Sequence, residues 1–298
     1  MVLRDAAVLA ALGLCVLAGC GDDDSAAGDA RPATLKIATK ELRVTEPGVQ
    51  DQVAIDAPRT VPAGLVQVSF ENRGKSPHDA QLVRVDGDRK RKAVIVAFEE
   101  AERGIPLPSW LHGAGGVGPI QGGARATATQ VLVPGDYYVV DTEATGDSGQ
   151  VNSRQGGIRS LEVTPVAGEP GEVPGGDATI AAEDYGFDVS GIEPGSNRVT
   201  FENEGSVPHQ LRAFPVRAGA DMEDAEGLFK PGVIPETSAA SSPLAPGPIV
   251  GTARIEGDAK QLTDLRFAPG RYVLVCFVVD RDGKPHQVKG MVEGLDVE

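Results

Sequence analysis

From about residue 33 onward the chain is written in short runs where apolar and polar residues alternate, broken by glycine or proline every eight to twelve residues. Val66, Val68 and Phe70 fall on one face of such a run, as the two-residue period of a strand requires. The pattern predicts strands over Thr34–Ala38, Val53–Ile55, Leu65–Glu71, Ala80–Val85, Ala126–Leu132, Asp136–Asp141 and Arg159–Thr164. Further on it predicts Thr179–Ala182, Asn197–Glu202, Gln210–Pro215, Gly251–Ile255, Arg271–Val279 and Gly290–Val297. Two longer excursions between strands, Ala93–Arg103 and Ala220–Phe229, are expected to form short helices. Many short strands with turns between them predict an all-β sandwich architecture.

The pattern is written twice. Val68–His78 (VSFENRGKSPH) matches Val199–His209 (VTFENEGSVPH), Val133–Val140 (VPGDYYVV) matches Ala268–Val275 (APGRYVLV), and Ile158–Val163 matches Val292–Val297. Three matched blocks in one order mark an internal repeat. The expected organisation is two tandem Greek-key β-sandwiches at 34–165 and 177–298. A Pro/Gly linker, 166–176, joins them, and each is expected to fold independently.

Composition then narrows the picture. The chain has 298 residues, 38 glycines, 22 prolines and a formal net charge of −15. That acidity speaks against nucleic-acid binding, and the basic run Arg89–Lys92 reads as a solvated loop. At the start, the apolar Ala6–Leu17 is too short for a comfortable membrane span and fits a signal-peptide core. The following Leu17-Ala-Gly-Cys20 resembles the lipobox of bacterial lipoproteins. This resemblance implies a signal peptide over 1–19, lipid on Cys20 and an acidic tether over 20–33. The membrane lipid is then one partner, and the place is the outer face of the cytoplasmic membrane or the periplasm. Cys15 would leave with the signal and Cys20 would carry lipid, so Cys276 is left without an intrachain partner. A leftover thiol outside the cytoplasm is reactive, intermolecular or a ligand.

Candidate chemistry gathers around that cysteine. Cys276, His286 and Met291 follow one another on a turn-rich segment, and His209 stands upstream after Phe201-Glu-Asn-Glu-Gly-Ser-Val-Pro. A thiolate, two imidazoles and a thioether are the donor set of a blue-copper site. Each taken alone has a plainer reading: Cys276 a small buried hydrophobe, His209 a loop residue, Met291 core filler. Together, the Asn-x-Gly strand end before His209 and the later Cys, His and Met resemble the cupredoxin (blue copper) family. The closing Pro285–Met291 is most similar to the type 1 loop of copper-containing nitrite reductases. The nine residues between Cys276 and His286 depart from the tighter loops of small plastocyanin- and azurin-like carriers. The resemblance implies one type 1 copper ion, held by His209, Cys276, His286 and Met291. Asn203 is expected to tie the ligand loops together, and Pro285 to stiffen the approach to His286.

The first copy serves as an internal control. It keeps His78, but Asp141 stands at the place of Cys276, Asn152 at that of His286 and Gly157 at that of Met291. It should not hold blue copper, though a harder ion at His78, Asp141 and Asn152 stays open. His112, in the Gly-rich Ser109–Gly118, is expected on a surface loop, and those glycines lack the Lys-Ser/Thr of a phosphate loop. Four histidines are too few for a second copper centre, and Val275 and Phe277 flank Cys276 where multicopper enzymes place a bridging histidine. The expected function is therefore a non-enzymatic, membrane-tethered copper-binding protein, an electron or copper carrier with an unidentified redox partner protein. The alternative is a metal-free binding or structural module of the envelope.

Overall fold

The computed structural model describes residues 31–42, 52–144, 150–231 and 242–298. The first half contributes β1 (Ala33–Leu42), β2 (Gln52–Asp56), β3 (Thr60–Pro62), β4 (Gly64–Asn72), β5 (His78–Val85), α1 (Arg91–Glu102), β6 (Leu111–Ile120), β7 (Arg125–Leu132), β8 (Gly135–Val140) and β9 (Ile158–Thr164). The second contributes β10 (Ala178–Glu183), β11 (Gly186–Ser190), β12 (Gly195–Asn203), β13 (Arg212–Pro215), α2 (Met222–Gly227), β14 (Val250–Gly251), β15 (Lys260–Phe267), β16 (Gly270–Val275) and β17 (Val292–Val297). The all-β expectation holds, and both short helices form where the pattern put them.

Each half is a sandwich. In the first, β2-β1-β4-β7 faces the sheet β3-β9-β8-β5-β6; in the second, β11-β10-β12-β15 faces β14-β13-β16-β17. Alternation along β4 buries Val66, Val68 and Phe70 between the sheets and leaves Leu65, Gln67 and Ser69 partly exposed. Phe201 fills the matching place in β12. Each such phenyl ring stabilises the fold by roughly 1.5–3 kcal/mol through burial. Tyr137 and Tyr272 hold the same corner in the two copies, each hydroxyl donating to a carbonyl four residues upstream, Val133 and Ala268.

The halves also share a sheet. β7 and β15, equivalent strands of the two copies, pair antiparallel with Gln130 opposite Gln261, and this joins the two four-stranded layers into one of eight strands. A second seam runs along β6. The Gln81 amide reads the backbone of Arg254 as a strand would: its Nε2 donates to the Arg254 carbonyl at 3.1 Å and its Oε1 accepts from the Arg254 amide at 2.7 Å. Residues 166–176 are mostly exposed, with Val173 tucked in.

Several expectations are corrected. The Gly-rich Ser109–Gly118 lies mainly in strand β6, not in a surface loop. Glycine serves close packing there: a Cβ on Gly116, whose φ is +117°, would stand 2.0 Å from the Ala80 carbonyl oxygen. His112 sits on that strand, three-quarters covered, with Nε2 2.8 Å from Asp86 Oδ2. Arg91 and Lys92 start α1 rather than continuing a loop. The strand predicted to Val279 ends at Val275, and only Val250 and Gly251 pair within Gly251–Ile255's neighbourhood as a strand. The pattern also passed over β3, β11 and β15. In β15, Gln261 and Thr263 are buried because that strand lies in the middle of the eight-stranded sheet, so alternation is lost.

Among the described residues no helix is long and apolar enough to cross a membrane. The signal peptide, Cys20 and most of the acidic tether lie outside the described residues.

Candidate metal centre

Two elements deliver the donors of the second half. β16 ends at Val275 and places Cys276 fully buried at the sheet's end. The chain turns and comes back through Pro285, which caps a short 3-10 helix, His286–Lys289, at φ −64°. The expected stiffening by Pro285 is thus a helix cap. His209 follows β12 and is fixed by two backbone bonds to Ile255, each 3.0 Å. The sulfur of Cys276 lies 3.8 Å from His209 Nδ1 and 3.5 Å from His286 Nδ1, and the two Nδ1 atoms are 3.1 Å apart. Cys276, His209 and His286 form the one metal-capable group found among the described residues, and all three are buried.

Met291 is fully buried in the same apolar cluster as Cys276. Its backbone ties the ligands together: its amide donates to the His286 carbonyl at 3.1 Å, and its carbonyl accepts from the Cys276 amide at 3.3 Å.

The orientation of His209 has a cause that sequence reading missed. Its Nε2 is 3.1 Å from Asp184 Oδ1, which leaves Nδ1 to face the cysteine. Asp184 is itself held by the amide and hydroxyl of Ser206. Those bonds and His209, acting against burial, lower its pKa and keep it ionised. Gly205 makes room, since a Cβ there would come within 2.3 Å of that carboxylate. The repeat held the signal, for Glu41, near the end of β1, occupies the equivalent place and meets His78 Nε2 at 3.4 Å. Asn203 does part of what was expected. Its amide donates to the carbonyls of Val207 (2.8 Å) and Ile255 (3.2 Å), and its oxygen accepts from Gly205 N (3.0 Å). It braces the His209 loop against the Ile255 segment, not against the Cys276–His286 loop.

Electrostatics suit a cation. Burial lowers the pKa of both imidazoles, that of His286 to about 4, so their nitrogens carry lone pairs near neutral pH. Burial raises the Cys276 thiol to about 11, so a metal must displace its proton on binding. Over His286 stands the edge of Tyr185, 5.0 Å between ring centres. The Tyr185 hydroxyl donates to Asp280 at 2.5 Å, and Lys289 donates to both Tyr185 and Asp280. Neither Tyr185 nor this Lys–Asp brace was singled out from sequence.

The first half repeats the scaffold without the chemistry. The amide of Gly157 donates to the Asn152 carbonyl and that of Asp141 to the Gly157 carbonyl, both at 2.8 Å, the bonds Met291 makes with His286 and Cys276. The aligned positions are therefore equivalent in space. Here Asp141 Oδ2 lies 2.5 Å from His78 Nδ1, and Asn152 Nδ2 lies 3.2 Å from the same atom.

A pH dependence follows from His78. Burial would lower its pKa, but the bond and charge of Asp141, with Glu41 behind, outweigh that and hold it above the ordinary 6.5. A raised pKa in the folded state means the contribution is complete below the unfolded value and is lost as pH rises through the folded one. His209 and His286, shifted down, act on stability below 6.5, while Asp79, raised well above the usual carboxylate range by burial, adds to the loss as pH rises. Urea unfolding midpoints are expected to fall as pH rises above 6.5, and His78→Gln should flatten that fall.

Two sandwiches, each with a late strand that delivers Cys276 or its counterpart Asp141 and a short loop that returns the next donor, share one plan. The fold is cupredoxin-like. No family model matches the chain, and no curated protein does. Among solved structures, a dithionite-reduced auracyanin from the photosynthetic bacterium Roseiflexus castenholzii is 22% identical. The match covers 44% of this chain and 97% of that one, with a TM-score of 0.30. A multicopper oxidase is 12% identical over 89% of this chain and 88% of its own (TM-score 0.23). A Cu-containing nitrite reductase from Thermus scotoductus is 15% identical over 89% of this chain and 61% of its own (TM-score 0.23). Enzymes thus stand among the neighbours, but at such scores these likenesses carry no weight. The functional reading rests on the side chains.

Proposed function

We propose that the second sandwich holds one copper ion through His209, Cys276 and His286, with Met291 as the weaker sulfur donor, and that the protein is an extracytoplasmic electron or copper carrier. The observation that carries this is the meeting of two Nδ1 atoms and one Sγ in a buried apolar pocket, with the His209 tautomer set by Asp184. Copper held by such donors exchanges one electron between Cu(I), which favours sulfur, and Cu(II), which favours imidazole. The chain's own part is to keep the donors together and dry.

A carrier rather than an enzyme is favoured because each remaining histidine is bound to carboxylate, His78 to Asp141 and His112 to Asp86. The first sandwich, 34–165, then serves as support, and a redox partner or copper donor would approach the second, 177–298. Tethering through lipid on Cys20, at the outer face of the cytoplasmic membrane or in the periplasm, belongs to the same proposal. The metal-free module remains the second reading, favoured by the first half, which closes the same scaffold with the polar group His78–Asp141–Asn152 and no soft donor.

Copper affinity measured by competition with a chelator tests the reading. Asp184→Ala should weaken binding by about 10- to 100-fold, as loss of an orienting partner does, while Glu41→Ala leaves it alone. Equal affinity in both variants and the parent would contradict it.

A further inference from the structure

Between the halves, against Phe277 and Val279 of the Cys276 loop, lies a cavity of about 280 Å3. Arg254 and Arg212 both reach it, yet they are in different states. The guanidinium of Arg212 is engaged: it lies 3.2 Å from Glu143 Oε1 and donates to the Thr252 carbonyl at 2.7 Å. That of Arg254 makes no hydrogen bond or ion pair among the described residues, and its Nε is buried with no partner. Glu256 acts on it electrostatically but lies beyond ion-pair distance, and its Oε1 accepts from the Gly113 amide at 2.7 Å. A second unpartnered group faces the same space: Ser153 is fully buried, and its Oγ has no hydrogen-bond partner. Arg254 is half-buried, but its Nε and the Oγ of Ser153 are both withdrawn from water without partners, and a native structure that keeps two such atoms on one cavity calls for an occupant.

From this we infer that the cavity is a binding site for a small organic carboxylate with an apolar tail. The two carboxylate oxygens match the fork of an arginine, with the serine hydroxyl as a further donor. Arg212 is matched by Glu143 and by Asp79 at 3.9 Å, whereas Arg254 faces the space without an ion pair. The wall also carries polar Gln81, Thr142 and Gln210, the Glu143 carboxylate engaged by Arg212, and an apolar part of Val83, Phe98, Leu107, Val151 and Phe277. A carboxylate with an apolar tail would lay that tail on the apolar part, where the extra oxygens of phosphate or sulfate would find no partner. The site draws Ser153 from the first half and Arg254 from the second, so neither half has it alone. Phe277 is the residue after Cys276, which places an occupant beside the metal centre without contact to its donors.

Calorimetric titration of the whole protein with benzoate, without added copper, tests this. Benzoate is expected to bind with one-to-one stoichiometry; benzyl alcohol should bind at least about tenfold more weakly, and inorganic phosphate should not displace benzoate. Arg254→Gln should weaken benzoate by at least about tenfold and Ser153→Ala by about two- to tenfold. Ser153→Ala removes one oxygen only and keeps the test open if the arginine variant does not fold. No heat at millimolar benzoate, equal binding of benzyl alcohol, displacement by phosphate, or unchanged affinity in folded variants would each overturn the inference.

Discussion

Replacing Cys276 with serine is expected to abolish the intense visible absorption of the copper-loaded protein while leaving the fold in place. The thiol is fully buried, and serine is nearly its size, so packing around Leu274 and Val278 changes little. What changes is the donor: a hard hydroxyl takes the place of the polarizable sulfur, and only the thiolate gives the strong charge-transfer colour. Met291→Leu should behave differently. It removes a thioether but keeps an apolar side chain in the same cluster, so copper should stay and the potential should move. His78→Gln should leave the colour untouched. Absorption spectra and bound-copper ratios of the three variants check the series, and colour retained in the serine variant would remove Cys276 from the site.

Asn203→Ala is expected to cost roughly 3–5 kcal/mol, the largest loss of stability from any single polar side chain near the site. Asn203 is buried, and its amide makes three backbone contacts: with Val207 O, Ile255 O and Gly205 N. Truncation leaves buried groups unpaired, each costing about 1–3 kcal/mol where water cannot reach. Against a total stability of about 5–15 kcal/mol this is a large share. The same variant loosens the His209 loop, so copper affinity should fall with it. Asn72 makes the matching bonds to Ser76, Ile120 and Gly74, and Asn72→Ala should cost a similar amount of stability but no copper affinity. Denaturant curves for the two variants, with copper competition alongside, separate the shared structural role from the local one.

Much of the fold was legible because the chain states it twice. The matched Val68–His78 and Val199–His209 blocks became β4 and β12 with their following histidines, and the alignment of Asp141 with Cys276 and Asn152 with His286 holds down to the backbone bonds. What stayed hidden was set by neighbours far away in sequence. β6 is a strand because its glycines let β5 and the second half come close, and a run of glycine carries no alternation to read. β15 lost its alternation because Gln261 and Thr263 are covered by β7, a strand of the other copy. Asp184 could have been found, since an acid stands at the equivalent place at the end of the first strand of each copy, Glu41 and Asp184. Nothing local marked it as the partner of a histidine 25 residues on. Arg254 had no signal at all, because its lack of a partner is a property of the packed halves.

The most direct test of the central claim is to add Cu(II) to the whole wild-type protein and follow the visible spectrum against bound copper. Copper held by Cys276 should give an intense absorption that saturates at one copper per chain and disappears on reduction. A protein that stays colourless and copper-free under excess Cu(II), or one that takes up copper without a thiolate band, would contradict it.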